Sequence, residues 1–179
     1  SHIESINESS DLILSGIVDT NYEILKKAER KLKVEVFTSL DLALKKCQPD
    51  IVTIATRTPP KAQILLDCIK NGIKAIHVEK PLCRDLNELN LIRELSLSNN
   101  VLITLGTFRI YLVFYNIAKR YVYDGHLGKP NNAIISISKG PVMWTHPHSF
   151  DMANFLAHDK EFKSVRSLYG DIKMTRKID

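Results

Sequence analysis

The chain reads as an α/β protein, a Rossmann-like doubly wound parallel sheet followed by part of an α+β second domain. Three observations predict this. Five short apolar runs of strand length alternate with helical patterns over residues 12–105, which is the order of repeated βαβ units. The run Ala75-Ile-His-Val-Glu-Lys-Pro81 ends a strand on an adjacent acid and base, and ligands of open α/β sheets bind outside the carboxyl ends of the strands. After Gly106 the alternation stops and a different pattern begins, which predicts a boundary near residues 107–110. The division is then 1–107 for the parallel-sheet domain, whose strand ends would bind the ligand, and 108–179 for part of a second domain.

The elements follow in order. Leu12–Val18 reads as a buried strand with Asp19 directly after it. Residues 21–32 carry Ile24, Leu25, Ala28 and Leu32 at helical spacing. Val34–Phe37 is a short strand, and Ser39 can cap a helix over Leu40–Cys47. Asp50–Ala55 is the next strand. Pro59-Pro60 opens a helix to about Asn71, since proline suits a first turn, and Gly72 is its C-terminal stop. Lys74–Val78 is the strand that leads into Glu79-Lys80-Pro81. Asp85 caps a helix to about Leu97, and Val101–Leu105 is a fifth strand. Beyond Gly106, residues 111–123 are helical, Ala133–Ser138 alternates like an antiparallel strand, 149–156 is a helix, and 165–173 has strand character.

Composition narrows the function classes. Hydrophobic residues make up 44% of the 179 and charged residues 25%, as in ordinary soluble globular proteins. The net charge of +5 is spread out, and Glu23 and Glu29 interrupt its densest group, Lys26 to Lys33. That group reads as a solvated helix face and not as a nucleic-acid footprint. A mild positive balance suits anionic ligands such as phosphates. Three cysteines, Cys47, Cys68 and Cys83, form no paired framework and point to a reducing compartment, the cytoplasm. No apolar run reaches the roughly 18 residues of a membrane span, and no signal peptide is visible.

Several residues carry candidate chemistry. An acid at the end of a second strand, as Asp19 would be, accepts hydrogen bonds from ribose hydroxyls and repels a ribose phosphate, which favours NAD over NADP. Asp19 can equally cap the helix that follows. Thr56-Arg-Thr-Pro-Pro-Lys61 is a hydroxyl-rich turn ending at a helix N-terminus, suited to a phosphate or ribose edge or simply to starting a helix. Lys80, at the mouth of a site, can exchange a proton with a reacting oxygen. His148 and Asp151 are three apart and share a helix face, and a histidine there can shuttle the proton lost from an alcohol. His146, His148 and Asp151 can also be read as metal ligands, but they match no familiar zinc spacing, and no metal is expected.

Taken together, the chain resembles the glucose–fructose oxidoreductase, inositol dehydrogenase and MocA family. Gly16-Ile-Val-Asp19, Ile54-Ala-Thr-Arg-Thr-Pro59 continuing to Leu65, Val78-Glu-Lys-Pro-Leu82, and Gly106-Thr-Phe-Arg109 continuing through Tyr115 to Gly125-His-Leu-Gly-Lys-Pro130 carry the likeness, in order and at fitting spacings. Three departures stand out. No Gly-x-Gly-x-x-Gly is present, and Ser1-His2-Ile3 reads as lying inside the helix after that loop, so the first strand and the glycine-rich loop are expected to fall outside these 179 residues. Trp144 stands where the family often has Asp, and Gln63 where it usually has His.

The resemblance implies an NAD-dependent dehydrogenase, with NADP possible, acting on the CH–OH group of a sugar, sugar derivative or cyclitol. It implies catalysis by Lys80 and His148 and a cofactor site of Asp19, Thr56, Thr58, Pro59, Glu79 and Lys80. Arg109, Trp144 and Asp151 would face substrate. A homo-oligomer, dimer or tetramer, without nucleic acid or membrane as partner, completes the expectation. The alternative is a catalytically inactive, dinucleotide- or sugar-sensing regulator of the same fold.

Overall fold

The computed structural model describes residues 2–124, 126, 132–136, 142–157, 163, 164 and 166, with only the backbone for 142–145. The chain divides into two compact units, one of residues 1–108 with 139–147 and the other of 109–138 with 148–179.

The first unit alternates helix and strand throughout. It runs α1 (His2–Glu8), β1 (Ile17–Val18), α2 (Tyr22–Leu32), β2 (Val36–Phe37), α3 (Leu40–Cys47), β3 (Ile51–Ile54), α4 (Thr58–Lys70), β4 (Ala75–Val78), α5 (Leu86–Ser98) and β5 (Leu102–Leu105). Local chemistry sets the boundaries. The side chain of Asn21 accepts from the N–H groups of Glu23 and Ile24, Ser39 from Leu42, and Asp85 from Asn87 and Glu88, so α2, α3 and α5 each start on a capping side chain. Gly72, at φ +86°, takes the left-handed turn after α4 that a side chain would strain.

All strand pairs are parallel, but they form two sheets. β1 pairs with β2, and β3, β4 and β5 lie in that order, with Ile51 opposite Ala75 and Ala75 opposite Leu102. The single sheet expected from the alternation is therefore interrupted. A doubly wound sheet of strand order 3-2-1-4-5-6 puts its first strand between these two groups, and no described residue takes that place. The strand expected over 12–18 shortens to two residues for a related reason: a strand persists only where a neighbour takes its N–H and C=O groups.

The core lies between β3–β5 and helices α4 and α5. Leu65, Cys68 and Val78 are fully buried, with Ile54, Ile69, Ile76 and Ile92 almost so. Burying each such Leu, Ile or Val contributes about 1.5–3 kcal/mol.

The second unit contains the end of a 3₁₀ turn (Phe108–Tyr111), α6 (Val113–Tyr123) and most of α7 (Val142–Leu156). α6 and α7 meet where the Tyr123 hydroxyl donates to Leu156 O at 2.6 Å and the Lys119 ammonium stands 3.9 Å from the centre of the Phe155 ring. Two expectations are corrected here. The helix placed at 149–156 begins at Val142 and runs through Pro147, accepting the loss of one backbone hydrogen bond. Residues 133–136, the described part of the strand expected over Ala133–Ser138, are not in a strand, and Ile134 is 84% exposed; alternation alone makes no strand unless a partner edge takes up its backbone groups. Residues 137 and 138, and all but Arg166 of the expected strand at 165–173, lie outside the described residues.

Candidate functional site

Val78 ends β4, and the chain leaves the sheet as Glu79-Lys80-Pro81, with a cis bond before Pro81. Both neighbouring strands hold this exit. Glu79 N–H donates to Ile54 O of β3 at 2.9 Å, and Gly106 N–H, just past β5, donates to Val78 O at 2.8 Å. Lys80 is half-buried.

Below the turn lies Lys61, only 1% exposed. Its Nζ donates to Glu79 O at 2.7 Å, Lys80 O at 3.2 Å and Pro81 O at 3.1 Å. An ammonium has three donors and no acceptor, so three carbonyls match it one for one. Burial pushes the pKa of Lys61 down; the Glu79 carboxylate opposes that shift and the Lys80 charge adds to it. Lys61 reaches this place because it shares the inward face of α4 with Leu65 and Cys68, at i, i+4 and i+7. Sequence reasoning missed it as a site residue, although a cation at an apolar helical position was the available signal, since such groups are rarely buried without partners.

The Glu79 carboxylate faces the other way. His2 Nε2 lies 3.0 Å from its Oε1, and the His2 ring meets His77 edge-on with centroids 5.2 Å apart. His77 Nδ1 is 2.9 Å from the hydroxyl of Thr104, its register partner on β5. Burial, then the nearby His2, pushes His77 below its ordinary pKa, and Glu79 opposes this. His2, His77 and Glu79 bring one ligand-type atom each within 4.8 Å of the others. The set differs from the His146, His148 and Asp151 weighed from sequence. Hydrogen bonds already use Glu79 Oε1 and His77 Nδ1, and Lys61 supplies positive charge beside Glu79.

Asp19 is half-buried directly after β1, with its N–H bonded to Phe37 O at 3.2 Å. Its Oδ1 accepts from Asn21 N–H at 2.8 Å, and Asn21, not Asp19, caps α2. The capping role considered for Asp19 is thereby corrected: the shorter reach of Asn21 to the first turn wins it. Thr56 is exposed in the turn after β3, while Thr58 and Pro59 form the start of α4. Arg57, at the cap of α4, makes no side-chain capping bond. Gln63, where the resemblance expected His, is exposed and donates to Asp67 Oδ1 at 2.7 Å.

Asp19, Thr56, Thr58, Pro59, Glu79 and Lys80 all belong to the first unit and follow the carboxyl ends of its strands. Arg109, His148 and Asp151 belong to the second. Arg109 is half-buried in the 3₁₀ turn; His148 is 6% exposed on α7, with half-buried Asp151 three residues on. The backbone of Trp144 lies in α7, and its side chain is outside the described residues.

Parallel strands with helical crossovers, an acid after β1 and an acid–lysine pair after β4 define a dinucleotide-binding α/β protein. Residues 1–107 match the oxidoreductase family with an NAD-binding Rossmann fold, the GFO_IDH_MocA family, and the chain belongs to it. Myo-inositol 2-dehydrogenase of Thermotoga maritima is 24% identical over 169 residues, 87% of this chain and 50% of that protein. A probable dehydrogenase from Thermotoga maritima superposes with a TM-score of 0.77 at 23% identity, covering 88% of this chain and 51% of the other. GenD2 from gentamicin A biosynthesis, solved in complex with NAD, gives 0.75 at 18% identity, with 87% and 49% covered. The chain thus spans about half the length of the relatives it matches. None of these comparisons supports the inactive regulatory alternative.

The residues present fit the family's cofactor. The half-buried Asp19 carboxylate is an acceptor of the kind a ribose diol needs. The turn between β3 and α4 supplies hydroxyls, and Lys80 stands half-buried at the end of β4.

Proposed function

We propose that this chain forms the nucleotide-binding part, and the start of the second domain, of an NAD(P)-dependent oxidoreductase that acts on a CH–OH group of a sugar, sugar derivative or cyclitol. The observation that carries this reading is Lys80, presented at the end of β4 on a turn held from three sides. The bound dinucleotide supplies hydride acceptance or donation. Asp19 binds the adenosine ribose and disfavours a phosphate there. Thr56, Thr58, Pro59 and Glu79 line the cofactor side of the β3 and β4 ends. Lys80 takes the hydroxyl proton of the substrate during oxidation and returns it during reduction. His148, oriented by Asp151, serves as a proton shuttle, and Arg109 and Trp144 contact substrate. Residues 108–179 contribute to a substrate and oligomerisation domain, and the protein works as a cytoplasmic dimer or tetramer without nucleic acid. Among the described residues no helix is long and apolar enough to cross a membrane.

The test is turnover by the intact protein. With NAD or NADP, a panel of myo-inositol, scyllo-inositol and glucose should give at least one substrate whose oxidation reduces the nicotinamide. Dinucleotide binding without turnover of any panel member, or of their keto forms with reduced cofactor, would replace this reading with the regulatory one.

A further inference from the structure

The three carbonyls on Lys61 are consecutive, and the middle one belongs to Lys80. Backbone groups leaving a sheet usually turn to water or to a capping side chain. Here Lys61 Nζ, almost wholly buried, gathers those of Glu79, Lys80 and Pro81. Only the protonated amine has three hydrogens to give, so the arrangement needs the ammonium form. Lys61 is 1% exposed on the face of α4 that also carries the buried Leu65 and Cys68, so its ammonium has almost no access to water as an alternative partner.

We infer that Lys61 is a positioning residue for Lys80: its ammonium fixes the backbone from which the Lys80 side chain reaches the reacting oxygen. The inference rests on the proton-transfer role proposed for Lys80. Lys61 touches no substrate; it acts through the direction in which Cα and Cβ of Lys80 point. A shift of about 1 Å at a reacting group can reduce turnover 10²-fold, so loosening this turn is felt in catalysis while the cofactor edge at Asp19 is untouched.

The test is a double-mutant cycle in the intact protein, with NAD and the best-turned-over substrate of the panel above. Lys61→Met keeps the aliphatic stem and removes all three donors. It should lower kcat about 10- to 100-fold while the Kd for NAD, measured by calorimetry, and KM change less than about 3-fold. In a Lys80→Ala background the same change should alter the residual kcat by less than about 2-fold, because residues acting through one group are not additive. Where Lys61→Met does not fold, Lys61→Gln, with two amide donors, carries the same comparison. An unchanged kcat in the single variant overturns the inference, and so does an equal loss in both backgrounds, which marks a role in stability alone. If Lys80→Ala by itself retains full turnover, the role of Lys80 fails first, and the inference falls with it.

Discussion

The carboxylate of Glu79 occupies the space that a side chain on Gly106 would need. A Cβ built on Gly106 would lie 2.8 Å from Oε2 and 2.9 Å from Oε1 of Glu79. A side chain on the residue leaving β5 would therefore displace the carboxylate leaving β4 from its place beside His2. This packing ties the ends of the two strands and α1 into one arrangement beside Lys80.

Gly106→Ala should push the Glu79 carboxylate out of its place and break its contact with His2. A flexible side-chain end can move, so the loss of stability should be modest, about 1–2 kcal/mol in denaturant unfolding. In a Glu79→Ala background the same change should be nearly neutral. Equal destabilisation in both backgrounds would show that the backbone near Gly106, and not the carboxylate, is the obstacle.

Lys80→Ala should leave NAD affinity nearly intact and reduce kcat about 10²–10⁴-fold, the usual contribution of a general acid or base. Steady-state kinetics beside calorimetry of NAD binding checks this. Undiminished turnover would remove the lysine from proton transfer.

Asp19→Ser should weaken NAD and relieve the repulsion of NADP, shifting preference toward the phosphorylated cofactor. Binding of both cofactors to parent and variant reads this directly. A parent protein that already prefers NADP would contradict the ribose assignment.

His77 adds a pH dependence to stability. Burial lowers its folded-state pKa below the ordinary 6.5. The unfolded chain therefore binds more protons between the two values, and stability rises with pH through that window. The full contribution is present above 6.5 and is lost as pH falls below it. His77→Gln should flatten this part of the Tm profile relative to the parent, and identical slopes would assign it to other groups.

Cys68 is fully buried, and desolvation pushes its thiol up to about 11. Maleimide at neutral pH should label the partly exposed Cys47 and Cys83 under native conditions and reach Cys68 only after unfolding. Mass spectrometry of the labelled peptides distinguishes the three. Rapid native labelling of Cys68 would mean that α4 opens away from the sheet.

The sequence by itself determined the alternation of helix and strand, the caps at Ser39 and Asp85, the stop at Gly72 and the Glu79-Lys80-Pro81 exit. Each of these depends on contacts within a few residues or on the two characteristic periods of apolar side chains. Only the tertiary structure decided the rest. The partner of a strand edge is set by chain segments far apart, so the split between β1–β2 and β3–β5 and the absence of a strand at residues 133–136 could not be read locally. The helix expected over 149–156 begins instead at Val142 and passes through Pro147. Lys61 looked like one more charge in a helix start until the fold laid three backbone carbonyls over it. An acceptor set built 18 to 20 residues downstream exists only once β4 has docked beside α4, and long-range docking of that kind leaves no periodic trace in the chain.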